Sequence, residues 1–449
     1  MKVLDENVFG ACTSLTTVTL PENDNFTTIP NKAFSGCSSL KSISIPDNIT
    51  TIGHSAFSSC NSLTSVVIPE SVTSIGSEAF SYCGLLNTVD LSKAGITELP
   101  SGISFGVFHG CENLTTVTLP TSGKFTTIGD HAFEDCTALQ YSKDRSTPFY
   151  IPDSVTNICD SAFNGCDSLS SIVIPDGVKK IGMKAFYGCN SLADVKLNNG
   201  LRTIDESAFD SCKALKSIDI PDTVTTINKN AFSNSGLETV IIPDSVDTIN
   251  AGVFNYCTHL QTVQLPENED FTSIFKNTFY NCSELKSIDI PDTVTHIDDF
   301  AFYNSGITEI VLSESVVAVS SYSLSTSSLE KVTFLNPDCV IYDENATIGF
   351  YAVIYGYENS TAQAYAEKYN RTFVSLGEVP VIPEVNIGDA NGDGEVTITD
   401  ATLVQRNIAR LVEFTEEQKI AADTNKDGEI SVIDATIIQR FVAKLIEEF

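Results

Sequence analysis

A phenylalanine returns at nearly even intervals through about two thirds of this chain, at Phe9, Phe34, Phe57, Phe80, Phe108, Phe133, Phe163, Phe186, Phe209, Phe232, Phe254, Phe279 and Phe302. Blocks of about 23 residues bring these thirteen positions into one column, the mark of a repeat architecture. A unit that short cannot bury its own apolar face, so the chain has to stack coil upon coil. The usual expectation of one domain per roughly 150 residues therefore does not apply.

Every unit carries a Leu-x-x-Val/Ile-x-Leu/Ile segment, such as Leu63, Val66 and Ile68 or Leu215, Ile218 and Ile220. Its last two apolar positions alternate as a half-buried strand requires. Proline follows in ten units (Pro21, Pro46, Pro69, Pro120, Pro152, Pro175, Pro221, Pro243, Pro266 and Pro291), and its missing N–H ends the ladder. A second apolar pair comes next, as in Val72 and Ile75, and then Ala79, Phe80, Cys83 and Leu86 at a spacing that fits a short helical turn. The expected fold is an α/β-type leucine-rich-repeat solenoid, with a parallel β-sheet on one face and short helical turns on the other. Strands about 4.8 Å apart would make one sheet about 60 Å long.

Eleven of the thirteen cysteines (Cys12, Cys37, Cys60, Cys83, Cys111, Cys136, Cys166, Cys189, Cys212, Cys257 and Cys282) occupy one repeat position, which Ser235 and Ser305 fill in two further units. One cysteine per coil is not a cystine framework. The position needs a small side chain, and a buried, reduced thiol is expected there.

With 58 acidic against 26 basic residues the formal charge is −32, which disfavours nucleic acid and anionic lipid, both bound through phosphate neutralisation by Lys and Arg. No run of 18 apolar residues is available to span a bilayer. The chain opens inside a repeat, since residues 6–15 read as the second half of a unit, so a capping coil and a signal peptide are expected upstream. The five histidines (His54, His109, His131, His259 and His296) sit at scattered variable positions, and no nucleophile with a base can be assembled around them. No catalytic residue is assigned.

Strand positions that alternate away from the core are Thr17, Thr19, Ser42, Ser44, Thr116, Thr118, Ser217, Asp219, Thr262, Gln264, Ser287 and Asp289. They form either a docking surface for an unknown protein or surface ligand, or an open sheet face rich in threonine for its β-propensity alone. Nine of the ten prolines precede a carboxylate, at Glu22, Asp47, Glu70, Asp153, Asp176, Asp222, Asp244, Glu267 and Asp292. This row reads as turn chemistry screened by water, with a metal ladder as the alternative. Insertions at 94–105 and 140–147 break the spacing, and the second brings Lys143 and Arg145 into acidic surroundings.

The pattern Leu-x-x-Ile-x-Ile-Pro-Asp-x-Val-x-x-Ile-Gly-x-x-Ala-Phe-x-x-Cys resembles the leucine-rich repeats of BspA-like bacterial surface proteins over residues 1–374. Residues 353–373 look like the C-terminal end of such an array, with Tyr342, Tyr351, Tyr355, Tyr357, Tyr365 and Tyr369 expected to close its core. The resemblance implies adhesion to a macromolecule, with no catalysis and an extracellular setting.

Residues 375–385, with Pro380 and Pro383, read as a linker, and 386–449 as a separate all-α module of two loop-helix motifs. Asp389, Asn391, Asp393, Gly394, Glu395, Thr397 and Asp400 fall at positions 1, 3, 5, 6, 7, 9 and 12 of a calcium loop of the EF-hand kind. Asp423, Asn425, Asp427, Gly428, Glu429, Ser431 and Asp434 repeat the pattern 34 residues later. Calcium takes six to eight hard oxygens, and glycine at position 6 permits the sharp turn. Glu395 and Glu429 would give backbone carbonyls, and Asp400 and Asp434 would close each sphere, so two Ca2+ ions are expected. Exiting helices are expected at 401–411 and 435–445, facing each other through apolar residues at 401, 404, 408 and 411 and at 435, 438, 442 and 445.

This duplicated register resembles the type I dockerin. The resemblance implies a calcium-folded plug for a cohesin module of a scaffoldin, in a cellulosome-like complex. It places partner contacts at Ile398, Thr399, Arg406 and Arg410 and at Val432, Ile433, Arg440 and Lys444. The Ser-Thr pair familiar at positions 10 and 11 is replaced by Ile-Thr and Val-Ile. The functional expectation is a monomeric adhesion protein delivered to a scaffold. The alternatives are a free-standing adhesin with a calcium-stabilised tail, and a polysaccharide-associated component of a carbohydrate-degrading complex.

Overall fold

The computed structural model describes residues 4–142, 148–380 and 386–447, with the Glu416 side chain left aside. The chain divides into two compact units, Met1–Gly377 and Glu378–Phe449. Lys143 and Arg145, Pro383 and the second half of the expected linker, 381–385, lie outside the described residues.

The first unit is a parallel β-solenoid whose coils pair in register within several short sheets among the described residues, not in the single long sheet expected. Val66 lies opposite Val89, and Val89 opposite Val117. The same strand position returns as Ser171–Val173 against Asp194–Lys196, Thr239–Ile241 against Thr262–Gln264, and a last sheet from Glu309–Leu312 to Phe373–Ser375. A second ladder runs beside it, where the sequence suggested only an apolar pair. Two-residue strands such as Thr51–Ile52 and Ser74–Ile75 pair coil to coil, and seven of them join continuously from Glu98–Leu99 to Thr248–Ile249. One inward and one outward residue give no readable period, which is why this ladder is invisible in the sequence.

The expected helical turns are also different. The segment around each phenylalanine is a run of tight turns flanked by left-handed residues two positions before and after the ring: Lys184 and Gly188 around Phe186, Ser207 and Ser211 around Phe209, Asn277 and Asn281 around Phe279. Backbone N–H groups at Lys184, Phe186 and Gly188 donate to Glu206, Ala208 and Asp210 of the next coil at 2.8–2.9 Å. Bonds between coils replace the i→i−4 bonds of a helix, so no helix forms.

Inside, the thirteen phenylalanine rings stack in one column, with neighbouring centroids 5.3–6.0 Å apart and planes within 14°. From Phe34 to Phe302 every ring of the column is fully buried. Each such burial stabilises by about 1.5–3 kcal/mol, before the smaller gain from offset stacking. Beside the rings, the cysteine thiols donate to the phenylalanine carbonyl of the preceding coil: Cys60 to Phe34 at 3.3 Å, Cys189 to Phe163 at 3.2 Å, Cys282 to Phe254 at 3.1 Å. Burial raises these thiols well above their ordinary range. Cys12 departs from the expected burial and is exposed, because only one neighbouring coil covers it.

At the end of the array, helix α1 (Thr361–Lys368), capped by Ser360, lays Ala362, Tyr365 and Ala366 over the last coils. Tyr365 is buried, but Tyr342 and Tyr351 are 52% and 75% exposed, so α1 and not a tyrosine cluster closes the core. Ser375 still pairs within the final strand, and Leu376 N–H donates to Gly356 at 2.8 Å.

The outward strand positions are exposed except at Thr118, which is half-buried, and Thr116, which is buried. Thr116 is 3% exposed, because the excursion after Gln140 folds back: Tyr141 bridges to Thr116, and Thr118 Oγ1 donates to Ser142. The nine carboxylates after proline all face solvent. They serve turns, as where Asp244 Oδ1 accepts from Glu267 N–H at 2.8 Å.

The second unit holds three helices, α2 (Ile398–Ile408), α3 (Glu416–Ala422) and α4 (Val432–Val442). Helices α2 and α4 begin three residues earlier than expected, because Thr397 and Ser431 cap them in capping boxes with Asp400 and Asp434. Helix α3, absent from the sequence reading, is capped by Thr415 and Gln418 and ends at Asp423. Helices α2 and α4 pack on each other around Ala390, Ala401, Val404, Phe414, Ala422, Ala435 and Ile438. Among the described residues no helix is long and apolar enough to cross a membrane.

Candidate functional site

The two loops of the second unit are built alike, atom by atom. In the first, both oxygens of Asp389 accept backbone N–H groups, from Gly392 at 2.8 Å, Asp393 at 3.1 Å and Gly394 at 2.7 Å. In the second, Asp423 accepts from Asp427 at 3.2 Å and Gly428 at 2.9 Å. Gly394 and Gly428, at φ +91° and +85°, make the turn that aims those N–H groups inward, as position 6 requires.

The closing carboxylates sit where loop meets helix. Asp400 accepts from Asn391 N–H at 3.0 Å and from Thr397 N–H at 2.8 Å, and Asp434 accepts from Thr424 N–H and Ser431 N–H, both at 2.9 Å. Both are fully buried in the first turn of a helix, where the positive end of the dipole favours them. Asn391 and Asn425 each accept from the N–H two residues on, which holds their side-chain oxygens against the loop. Glu395 and Glu429 are exposed, and their N–H groups donate to Asp393 and Asp427 at 3.0 and 2.8 Å. The Thr397 and Ser431 hydroxyls are engaged as helix caps.

Among the described residues no Lys, Arg or His pairs with Asp389, Asp393, Asp400, Asp423, Asp427 or Asp434. Nor does any trio of His, Cys, Asp or Glu among the described residues gather into an all-charged metal cage. A hard-cation loop does not need one, since about half of its oxygens come from amides, hydroxyls, backbone carbonyls and water. The donors present are all hard oxygens on alternate residues, and two carboxylates are buried without a counter-charge. That set fits calcium, and does not fit a thiolate- or imidazole-seeking ion.

The eight residues expected to meet a partner are all exposed, on the first and last turns of α2 and α4 and just beyond. Their 34-residue pairing places Ile398 with Val432 and Arg406 with Arg440 at like positions of the two helices. Leu411 and Leu445 were expected in the core, yet both are 69% exposed. Arg410 and Lys444 adopt φ +57° and +56°, and the N–H of each following leucine donates back to Arg406 or Arg440, a Schellman closure. That turn swings each leucine away from the helix face. The signal was available in the sequence: a basic residue and a leucine repeat at the same spacing just after the last core position.

Comparison with known proteins follows this division. The family of BspA type leucine rich repeat regions matches residues 2–140, 140–261 and 225–346, and the dockerin type I domain matches residues 387–443. No curated protein matches the chain. A leucine-rich repeat protein from Bacteroides ovatus is similar in structure, at 24% identity over 83% of this chain and 80% of its own, with a TM-score of 0.52. A leucine rich cell surface protein from Faecalibacterium prausnitzii is 29% identical over 69% of this chain and 83% of its own, at a TM-score of 0.46. The leucine rich repeat protein of T. pallidum is 27% identical over 46% of this chain and 81% of its own, at 0.31. The first of these shows the fold.

Proposed function

The chain belongs to the BspA-type leucine-rich repeat family and carries a dockerin type I domain, and from that premise we propose that it is an extracellular, non-catalytic binding protein anchored to a scaffold. In this reading the dockerin unit plugs into a cohesin module of a scaffoldin, and the outward sheet face of the solenoid meets a protein or surface ligand. Cohesin capture is the function implied by the domain; the cellulosome-like setting is the finer step of the proposal.

The observation that carries it is the pair of equivalent aspartate cradles, each closed by a buried carboxylate at a helix start. Asp389, Asn391, Asp393, Thr397 and Asp400, and their counterparts from Asp423 to Asp434, would hold one Ca2+ each. Calcium would supply the positive charge these carboxylates lack, so binding and folding become one equilibrium. The helices then offer Ile398, Thr399, Arg406 and Arg410, or Val432, Ile433, Arg440 and Lys444, to the partner. Because the two faces correspond, either can bind in orientations related by a half-turn.

Immobilised cohesin modules should retain the full chain in calcium and release it in chelator. Capture that ignores the chelator, or never occurs while the dockerin is folded, leaves the free-standing adhesin instead. Arg406→Ala and Arg440→Ala singly should leave capture intact and together abolish it. Loss on either single change would refute the two-way mode.

A further inference from the structure

Three shallow hollows on the outward sheet face share lining residues and so form one trough. The first is lined by coils 217–222 and 239–245, the second by 262–267 and 289–293, and the third by 287–292, 309–313 and Leu335. Five coil-to-coil steps at about 4.8 Å make it about 24 Å long, which about seven extended residues would cover.

Its chemistry differs from the rest of the face. Asp219, Asp222, Asp244, Glu267, Asp289, Asp292 and Glu309 line it, all exposed, and no Lys, Arg or His lines it. Only Glu309 faces a base among the described residues, Lys331 at 3.6 Å. Two bare apolar side chains stand in the same trough, Ile241 at 63% and Val311 at 51% exposure. The corresponding hollow at coils 42–71 has Val67 but only Asp47 and Glu70, and Lys93 enters it.

We propose that this trough docks an extended, cationic polypeptide segment of the partner protein, with Lys or Arg side chains over the carboxylates and apolar side chains over Ile241 and Val311. The inference rests on the docking role given to the sheet face and adds the partner's chemistry and position. Like charges a coil apart repel one another, and an ammonium or guanidinium row relieves that repulsion where a neutral glycan cannot. The trough also presents no aromatic platform on which a sugar ring could stack.

The test uses the full chain in calcium buffer and two fluorescent decapeptides, alternating Lys-Val and alternating Glu-Val, followed by anisotropy. The Lys-Val peptide should bind and weaken steeply with salt. The triple substitution Asp219→Asn, Asp222→Asn and Asp289→Asn should cost about tenfold in affinity. Asp47→Asn, Glu70→Gln and Asp176→Asn remove the same charge elsewhere and should cost less than about twofold. Equal losses from the two sets, or no binding of the Lys-Val peptide, would overturn the proposal. Binding of the Glu-Val peptide that Ile241→Arg abolishes would also overturn it, while leaving a docking role for the face. Cohesin capture measured on the same preparations reports separately on the dockerin.

Discussion

The two units of this chain solve the problem of a small repeat in opposite ways. The solenoid repeats a weak coil until stacking makes a continuous core, with one large ring and one small thiol or hydroxyl per coil and a row of hydrogen bonds between neighbours. The dockerin has two copies of its motif, and its core is four alanines with Val404, Phe414 and Ile438. Apolar burial of that size rarely stabilises a unit of about 60 residues without a staple. The loops that would hold calcium are therefore the dockerin's missing core, whereas the solenoid has no such debt.

The difference can be broken from the solenoid side first. Phe186→Ala should destabilise the solenoid by about 3–5 kcal/mol, since its ring is fully buried and stacked at 5.4 Å on both Phe163 and Phe209. Calorimetry should show the loss in one transition only; a matching loss of calcium-dependent structure would mean the units are not energetically separate. A smaller effect sharpens the other side. Thr415→Ala removes the cap of α3 without touching an expected ligand, and should cost the dockerin about 1 kcal/mol. The deficit should appear as a higher calcium midpoint in circular dichroism, and an unchanged midpoint would show that α3 is not coupled to the loops.

The smallest expected effect is electrostatic. Burial raises Asp205 most, but the Lys180 ammonium at 2.6 Å, together with hydrogen bonds from the Glu206 N–H and the Asn228 amide, outweighs it and holds the carboxyl below its usual range, while Asp205 in turn raises Lys180. A depressed carboxylate stabilises above its unfolded value and loses that contribution as pH falls. A raised ammonium stabilises below its unfolded value and loses it as pH rises. The pair therefore acts between about pH 4 and pH 10. Lys180→Met should cost less than about 1 kcal/mol at pH 7, since Lys180 is mostly exposed, and nothing near pH 2. A cost that persists in acid would belong to the lysine stem and not to its charge.

The comparison also explains what could be read in advance. Phenylalanine columns, a tolerant small position and two spaced calcium loops are legible because each follows from a fixed interval along the chain. The left-handed turns were not, because Lys184, Glu78 and Tyr82 have no preference for that conformation; bonds to the adjacent coil impose it. Thr116 looked like every other outward threonine until an excursion of irregular length covered it. Leu411 and Leu445 were assigned to the core by helical period, and a Schellman turn removed them from that period. The left-handed turns and the covered threonine depend on contacts between coils, whereas the leucines depend on a local turn whose residues the sequence does show.

Scanning calorimetry of the full chain with and without a calcium chelator tests the division of labour most directly. Two transitions are expected in calcium, of which the chelator abolishes the smaller and leaves the larger, solenoid transition within a degree or so. A chelator that shifts both, or neither, would contradict that division.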